Sequence, residues 1–296
     1  MKYLFISICL LSVALSSCVE SSPEEDLTMN DTLLVKTKAL NSDAIHEALQ
    51  SIPSPIETTN SIERSGAECD KSLLNNVDNI DNYQSTYKKA LNLGVYGTDL
   101  GYLNLYNKTV TSFEYLDNIR KLSDDLKIGQ FFDFATIKRL ASNQSNIDSI
   151  IYISTSGFEN MNNYLTSQKR ENISTLILVG GWVESVYLLS KISESTKNVD
   201  LIEKIGEQKF ALAQIVILLE IYKDNESYGE LFDKINSLKQ SFDKVKITYI
   251  YKEPETKEVD GMLVVVDNSR NVVEVSPEVF NEIVTKISQI RTDLTK

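Results

Sequence analysis

Residues 176–189 constrain the fold of this chain more than any other stretch. They read LILVGGWVESVYLL, with Glu184 as the single charged residue and Trp182 as the only tryptophan of the chain. A helix that is apolar on every side has to lie in the centre of a fold, where other elements cover it. The stretch has 14 residues, whereas a membrane-spanning helix needs about 20. It therefore predicts a buried central helix within a larger helical assembly.

Helical spacing of apolar residues continues through most of the chain after Asp81. Ser54 and Pro55 also have the order of an N-cap and a first helical residue, which predicts a helix ending near Arg64. Short polar connections between successive helices favour an all-α bundle or array. The predicted helices cover residues 55–64, 83–103, 112–126, 133–141, 147–154, 158–168, 173–192, 199–222 and 228–251.

The last part of the chain has a different pattern. Residues 253–258 form a charged break, and residues 262–266 and 272–275 are short apolar runs around a polar turn, which predicts a β-hairpin. Ser276 and Pro277 then begin a final amphipathic helix. Because two strands alone are marginally stable, the hairpin has to pack on the helices. The predicted fold is mainly all-α, a multi-helix bundle or array with a small C-terminal β-hairpin and a terminal helix.

The N-terminus has the layout of a secretory signal peptide. Lys2 gives a basic start, residues 3–15 are uncharged and apolar, and small residues lead to Cys18. The ending resembles the lipobox of bacterial lipoprotein precursors, in which cleavage frees a cysteine that carries acyl chains. Several acyl chains on one residue give a stable membrane anchor. The alternative is an ordinary secretory signal in which Cys18 has no role.

Several short stretches together resemble a family of Bacteroidota lipoproteins. They are the lipobox, SIPSPI at residues 51–56, SGA at 65–67, ALNLGVYG at 90–97 followed by Asp99 and Leu100, and GGW at 180–182. The resemblance implies no particular activity. It implies an outer-membrane location in which the chain is lipid-anchored and faces the periplasm or the cell surface. The acidic residues 24–26 resemble a surface-export signal, although they lie a few residues later than that signal requires.

These patterns divide the chain into four parts. Residues 1–17 are the predicted signal peptide, and residues 18–42 are a flexible acidic tether, because residues 19–27 are polar and show no apolar periodicity. Residues 43–252 are the helical domain, and residues 253–296 are the hairpin and final helix packed on it.

Composition excludes several classes of function. The net charge is −12, or −13 without residues 1–17, whose only charge is Lys2. An acidic chain repels phosphate backbones, so we expect no nucleic-acid partner. His46 is the only histidine, and Cys69 is the only cysteine left after the signal peptide and Cys18. Histidine-based catalysis and imidazole zinc sites therefore have little support, and we expect no cofactor and assign no metal site.

A glycine-rich face in residues 90–106 has two interpretations. Gly94, Gly97 and Gly101 lie at helical spacing, so they share one side of a helix. They indicate either a groove floor, with nearby tyrosines and Asp99 lining a pocket, or a close crossing of two helices. In the second case, Asp99 is hydrogen-bonded to a tyrosine or to a backbone amide.

Three isolated polar residues stand in runs that otherwise favour burial: Asp99, Glu184 and Gln214. A charged carboxylate in such a place has to be paired, hydrogen-bonded or protonated. The hypothesis is that the three meet inside the bundle, as a cation site, an acid–base pair or a structural network. The predicted cluster consists of Asp99, Tyr102, Tyr106, Trp182, Glu184, Tyr187 and Gln214.

Two classes of function follow. The first is a membrane-anchored module that binds a ligand or acts as a scaffold, with the bilayer as a partner through acylated Cys18 and an envelope protein or small ligand as a second partner. The alternative is an envelope hydrolase that uses Asp99 and Glu184.

Overall fold

The computed structural model describes residues 45, 48, 49, 51–136, 147–259, 262–266 and 268–296. The predicted signal peptide, Cys18 and the tether up to residue 42 lie outside these residues, and so does part of the helix predicted over 133–141. Within the described part of the chain, the fold is mainly helical with a small antiparallel β region before a terminal helix. The predicted fold class is therefore confirmed.

The α-helices named below follow one another with short connections. They are α1 (Pro55–Arg64), α2 (Thr86–Leu105), α3 (Thr109–Asp125), α4 (Ile147–Ser167), α5 (Glu171–Thr196), α6 (Val199–Glu220), α7 (Glu226–Phe242) and α8 (Pro277–Leu294). Short 3₁₀ helices cover Lys71–Leu73, Val77–Asn82 and Gly129–Phe131. The strands are β1 (Lys246–Ile250), β2 (Glu255–Val259), β3 (Met262–Val266) and β4 (Arg270–Glu274).

Helix α5 is the centre of the fold. It packs against α1, α2, α4, α6 and α8, and most extensively against α2. By length and composition α5 could cross a membrane, but 94% of its apolar window is buried among the other helices. Helix α5 is therefore the central core helix that residues 176–189 predict. A helix without a polar face is stable only when other elements cover it on all sides.

Two helix starts follow directly from their capping residues. The Ser54 hydroxyl accepts a hydrogen bond from the Ile56 amide, and Pro55 is the first residue of α1. The Ser276 hydroxyl accepts from the Val279 amide, and Pro277 begins α8. Both predicted helix starts are confirmed. The capping hydroxyl accepts a hydrogen bond from an amide that has no partner within the first turn, and proline has no N–H group that needs a partner there.

The prediction of two helices over residues 147–154 and 158–168 is wrong. One continuous helix, α4, runs from Ile147 to Ser167. Gly157, which falls between the two predicted helices, lies inside it. A Cβ added at this position would lie 3.0 Å from the Phe131 carbonyl oxygen, so glycine allows close packing against the neighbouring chain.

The helix predicted over residues 228–251 is also wrong in its second half. Helix α7 ends at Phe242, and β1 follows it with the β-favouring sequence KITYI. The charged break predicted at 253–258 is wrong as well, since Glu255–Val259 is strand β2. Both segments are strands because each pairs with a partner strand. β1 pairs with β4 and β2 pairs with β3, in antiparallel registers. The predicted pairing between residues 262–266 and 272–275 does not occur.

These four strands form a feature that we call the β-arm, residues 246–274. Its base is attached to α6, where Val273 contacts Gly206 and a Cβ added to Gly206 would lie 2.9 Å from Val275 Cγ2. Its outer strand β3 is apolar on both faces and remains exposed, with Leu263 at 78% and Val265 at 69% exposure. In the described structure, the β-arm packs on the helices through its base.

Candidate functional site

Helices α2 and α5 cross with their backbones in contact. A Cβ added to Gly94 would overlap the Ile177 carbonyl oxygen and would lie 2.6 Å from the Gly181 amide nitrogen. On the other side, a Cβ added to Gly180 would lie 2.8 Å from the Leu91 carbonyl carbon. Glycine is required at both positions because any side chain would push the helices apart. This part of the glycine-rich face is a close helix crossing.

The same face of α2 continues beyond the crossing. A Cβ added to Gly97 would meet no atom of the described residues within 4 Å, and one added to Gly101 would lie 2.9 Å from the Ile56 Cγ1 atom of α1. Both glycines line a cavity of about 580 Å³. The glycine-rich face is thus a close crossing at Gly94 and a cavity floor at Gly97.

The walls of this cavity are largely apolar. They come from α1 to α5 and from the chain before α1, and include Leu49, Leu93, Leu116, Phe132, Phe158 and Ile177. The Thr98 hydroxyl faces the crossing and donates to a backbone carbonyl, either that of Gly94 or that of Gly181, both at 3.1 Å. This hydroxyl is therefore satisfied without a ligand.

Asn104 is a cavity residue with a polar atom that remains unused. It lines the cavity near the C-terminal end of α2 and is 8% exposed. Its side-chain nitrogen Nδ2 is buried and has no hydrogen-bond partner among the described residues. A buried amide without a partner costs free energy unless a bound molecule or water completes it.

Asp99 and Glu184 lie together on the other side of α2. Both side chains are fully buried, and Asp99 Oδ1 has no hydrogen-bond partner among the described residues. Arg291 of α8 binds Glu184 through Nε to Oε2 at 2.9 Å and Nη2 to Oε1 at 3.1 Å. The amide nitrogen of Asn75 donates to Asp99 Oδ2 at 3.1 Å. Two acids and one arginine therefore form a buried group inside the fold.

The protonation of this group follows from its charges. The pKa of Asp99 is raised well above its usual range. Burial is the largest cause and the charge of Glu184 is the second, and Arg291 offsets only part of the rise. With Asp99 protonated, the group keeps one negative charge, and the guanidinium of Arg291 balances it. The group as a whole carries no net charge, which lowers the free-energy cost of burying it.

The predicted tyrosines bind a segment that we call the strap, residues 67–82. The Tyr106 hydroxyl donates to the Ala67 carbonyl at 2.7 Å, and the Tyr102 hydroxyl accepts from the Asp70 amide at 2.9 Å. These hydroxyls hold backbone in place, and neither tyrosine lines the cavity floored by Gly97.

Two more tyrosines and an arginine complete the attachment of the strap. Tyr96 donates to the Asn76 carbonyl at 2.8 Å and Tyr115 donates to the Asn75 carbonyl at 2.9 Å. Arg291 donates to the Leu73 carbonyl at 3.2 Å through Nη2. The arginine that neutralises Glu184 thus also fixes the strap.

The remaining members of the predicted cluster, Tyr187, Trp182 and Gln214, do not lie together. Tyr187 lies below Arg291, whose Cζ is 4.9 Å from the ring centroid, so it belongs to the acid group. Trp182 donates from Nε1 to Gln208 Oε1 at 3.1 Å. Gln214 is half-buried and is not a hydrogen-bond partner of Asp99 or Glu184 in the described structure. The glutamine that contacts α5 is Gln208.

Sequence reasoning missed Arg291 and Asn75. Arg291 follows Ile287 by four residues, so it falls on the apolar face of α8. This position indicates that the arginine faces the core. Asn75 lies in irregular chain and offered no signal. Among the described residues, no group of three or more histidine, cysteine, aspartate or glutamate side chains is placed to hold a metal ion.

A second depression, of about 650 Å³, lies beside Cys69 and Lys191. Burial raises the pKa of the Cys69 thiol, although Lys108 acts against this rise. The neutral thiol is favoured, which disfavours a role as a nucleophile.

Comparison with protein families, with curated proteins and with solved structures returns no match to this chain. Function therefore has to be inferred from the sequence features and from the geometry of the cavity.

Proposed function

We propose that this chain is a lipid-anchored lipoprotein of the bacterial outer membrane whose helical domain binds an apolar small molecule. The cavity floored by Gly97 is the binding site, and acylated Cys18 holds the domain beside the bilayer. The sequence of residues 1–18 supports the anchor, and the cavity supports the binding. Facing either the periplasm or the cell surface, such a domain would meet apolar molecules that leave a membrane.

The observation that carries the binding proposal is the space above Gly97. Glycine inside a helix costs up to about 1 kcal/mol relative to alanine. At Gly94 a close backbone contact explains the glycine, but a Cβ added to Gly97 would contact none of the described residues. The volume of about 580 Å³ lies within the usual range for small-molecule sites, roughly 300–1,000 Å³. A glycine without a packing reason at the floor of such a cavity supports a site kept open for a ligand.

The binding proposal is tested with a neutral, apolar naphthylamine dye that fluoresces when it leaves water. The protein is the chain from residue 19 onward, which keeps every described residue and needs no detergent. Gly97→Leu fills the cavity from its floor and should abolish the fluorescence increase. Gly97→Ala adds one methyl group and serves as the matched control, which should keep most of the binding. Equal binding by the Gly97→Leu protein would contradict the proposal.

The anchor has its own test. Cys18→Ala removes the thiol that takes the lipid, so the full chain should move from the membrane fraction to the soluble fraction. If the Cys18→Ala protein remains in the membrane fraction, the anchor is wrongly assigned.

A second candidate function is an interaction module within an envelope assembly, and the exposed strand β3 favours it. An apolar edge strand without charges is a template for pairing with another strand. Co-purification from intact envelopes tests this candidate with Leu263→Lys in the β-arm, and Val110→Lys on the exposed side of α3 is the control. A partner lost only with Leu263→Lys would support the candidate, and an unchanged set of partners would contradict it.

The hydrolase alternative receives little support from the geometry. Asp99 and Glu184 are fully buried and line neither of the two cavities described above. The described hydrogen bonds of Glu184 go to Arg291, and that of Asp99 goes to the strap. A substrate would have to displace these contacts to reach either acid.

A further inference from the structure

Resting on the proposed function, we propose that the cavity takes a neutral acyl chain, linked as an ester or an amide, and that Asn104 hydrogen-bonds its carbonyl group. Three features of the cavity lead to this ligand class: an apolar body, the unused amide donor of Asn104, and carboxylates at its rim.

The apolar body selects the chain of the ligand. Leu93, Ile177 and Phe158 contribute side chains without polar atoms, and Gly97 leaves the floor free. Removal of apolar surface from water stabilises a bound chain by roughly 25 cal/mol per Å². A flexible hydrocarbon chain can follow a cavity lined by five helices, whereas a polar molecule would lose its hydration there.

The amide of Asn104 selects the head of the ligand. Asn104 Nδ2 is a buried donor without a partner, and the described structure shows no hydrogen bond to its Oδ1 either. Rotation about the terminal side-chain bond exchanges these two atoms, because this torsion is broad and two-fold. The donor can therefore face the cavity and meet a carbonyl oxygen there.

The charges at the rim exclude one type of head. Glu57 and Glu159 line the cavity and are exposed, and no lysine or arginine belongs to its described lining. Two carboxylates in a described lining that contains no lysine or arginine repel a fatty-acid carboxylate or a phosphate. An ester or amide carbonyl carries no charge, so it is the acceptor that suits both the rim and the buried donor.

The test compares three ligands of equal chain length in displacement of the naphthylamine dye. They are monolauroylglycerol, the lauryl ether of glycerol, which has the same head without the carbonyl, and laurate. Each is used below its micelle-forming concentration with the chain from residue 19 onward. Asn104→Leu, which keeps the size of the side chain but removes its hydrogen bonds, is the matched variant, and its melting temperature is measured first.

We expect the wild-type protein to bind the ester about 2- to 10-fold more tightly than the ether, the difference that one hydrogen bond supplies. Laurate should bind more weakly than the ester, and Glu57→Gln together with Glu159→Gln should reduce that difference. In Asn104→Leu the ester and the ether should bind equally.

Two failures are distinguishable. If Gly97→Leu blocks the dye but the ester shows no advantage over the ether, or laurate binds best, the inferred ligand class is wrong and the cavity function stands. If Gly97→Leu leaves dye binding unchanged, the cavity is not the site and both proposals fall.

Discussion

Arg291 and Glu184 are 107 residues apart in the chain and form a two-point ion pair, with N–O distances of 2.9 and 3.1 Å. Glu184 is in the central helix α5 and Arg291 is in the terminal helix α8. The pair therefore joins the last element of the chain to the first element that the sequence identifies as core. Asp99 adds the third member and α2 the third helix.

Loss of one partner of this pair should destabilise the fold strongly. Arg291→Met leaves Glu184 buried without a cation, and removal of one member of a buried pair typically costs about 3–5 kcal/mol. The double variant Arg291→Met with Glu184→Leu should recover much of that loss, because no buried charge then remains. Urea unfolding measures both. A loss below about 1 kcal/mol for Arg291→Met alone would show that the pair is not a buried charge pair.

Asp99→Asn should be tolerated, and its effect should depend on pH. An acid whose pKa is raised by folding holds its proton longer when folded, so its contribution is complete below the ordinary pKa of 3.8 and is lost as pH rises through the raised value. Asparagine at this position does not titrate. The unfolding free energy of Asp99→Asn relative to wild type should therefore increase as pH rises above about 4.

Unfolding of both proteins at a series of pH values gives this difference directly, since titrations common to both proteins cancel. A difference that does not change with pH would mean that Asp99 is ionised beside Glu184, which contradicts the protonation described above.

The two glycines of α2 should respond in opposite ways to the same substitution. Gly94→Ala places a methyl group against the backbone of α5 and should destabilise the fold by several kcal/mol, as overpacking at a rigid contact does. Gly97→Ala meets open space and should stabilise α2 by about 0.5–1 kcal/mol. Thermal unfolding of both variants checks this, and equal effects would contradict the assignment of crossing and cavity floor.

Tyr115→Phe should loosen the strap without altering the helices. The substitution removes the hydroxyl that donates to the buried Asn75 carbonyl, which should cost about 1–3 kcal/mol. Hydrogen exchange should become faster in residues 71–82 and remain slow in α5. Tyr251→Phe, in the exposed β-arm, is the control and should have no effect. Unchanged exchange in the strap would show that Tyr115 does not hold it.

The central helix and the crossing could be foreseen from local pattern. A run with one charge requires burial, and glycines at helical spacing require a close neighbour or open space. The sequence predicts that Asp99 and Glu184 meet, because each is isolated in an apolar run, and the structure brings them together. Gln214 stays apart, since its half-buried position on α6 does not require a polar partner.

The β-arm and the role of Arg291 could not be foreseen in the same way. Strand β1 follows a strongly amphipathic helix, and its pairing with β4 joins residues that local spacing cannot connect. In the sequence, Arg291 is one residue of a terminal helix. Its ion pair depends on Glu184, which lies 107 residues earlier. The cavity likewise depends on what five helices leave empty, and not on any single motif.

Binding of the naphthylamine dye to the wild-type, Gly97→Ala and Gly97→Leu proteins is the most direct test of the proposed function. Saturable binding that survives Gly97→Ala and disappears with Gly97→Leu, while all three proteins remain folded by circular dichroism, is the result we predict. Binding of the same strength in the folded Gly97→Leu protein, or no binding in any of the three, would contradict a ligand site above Gly97.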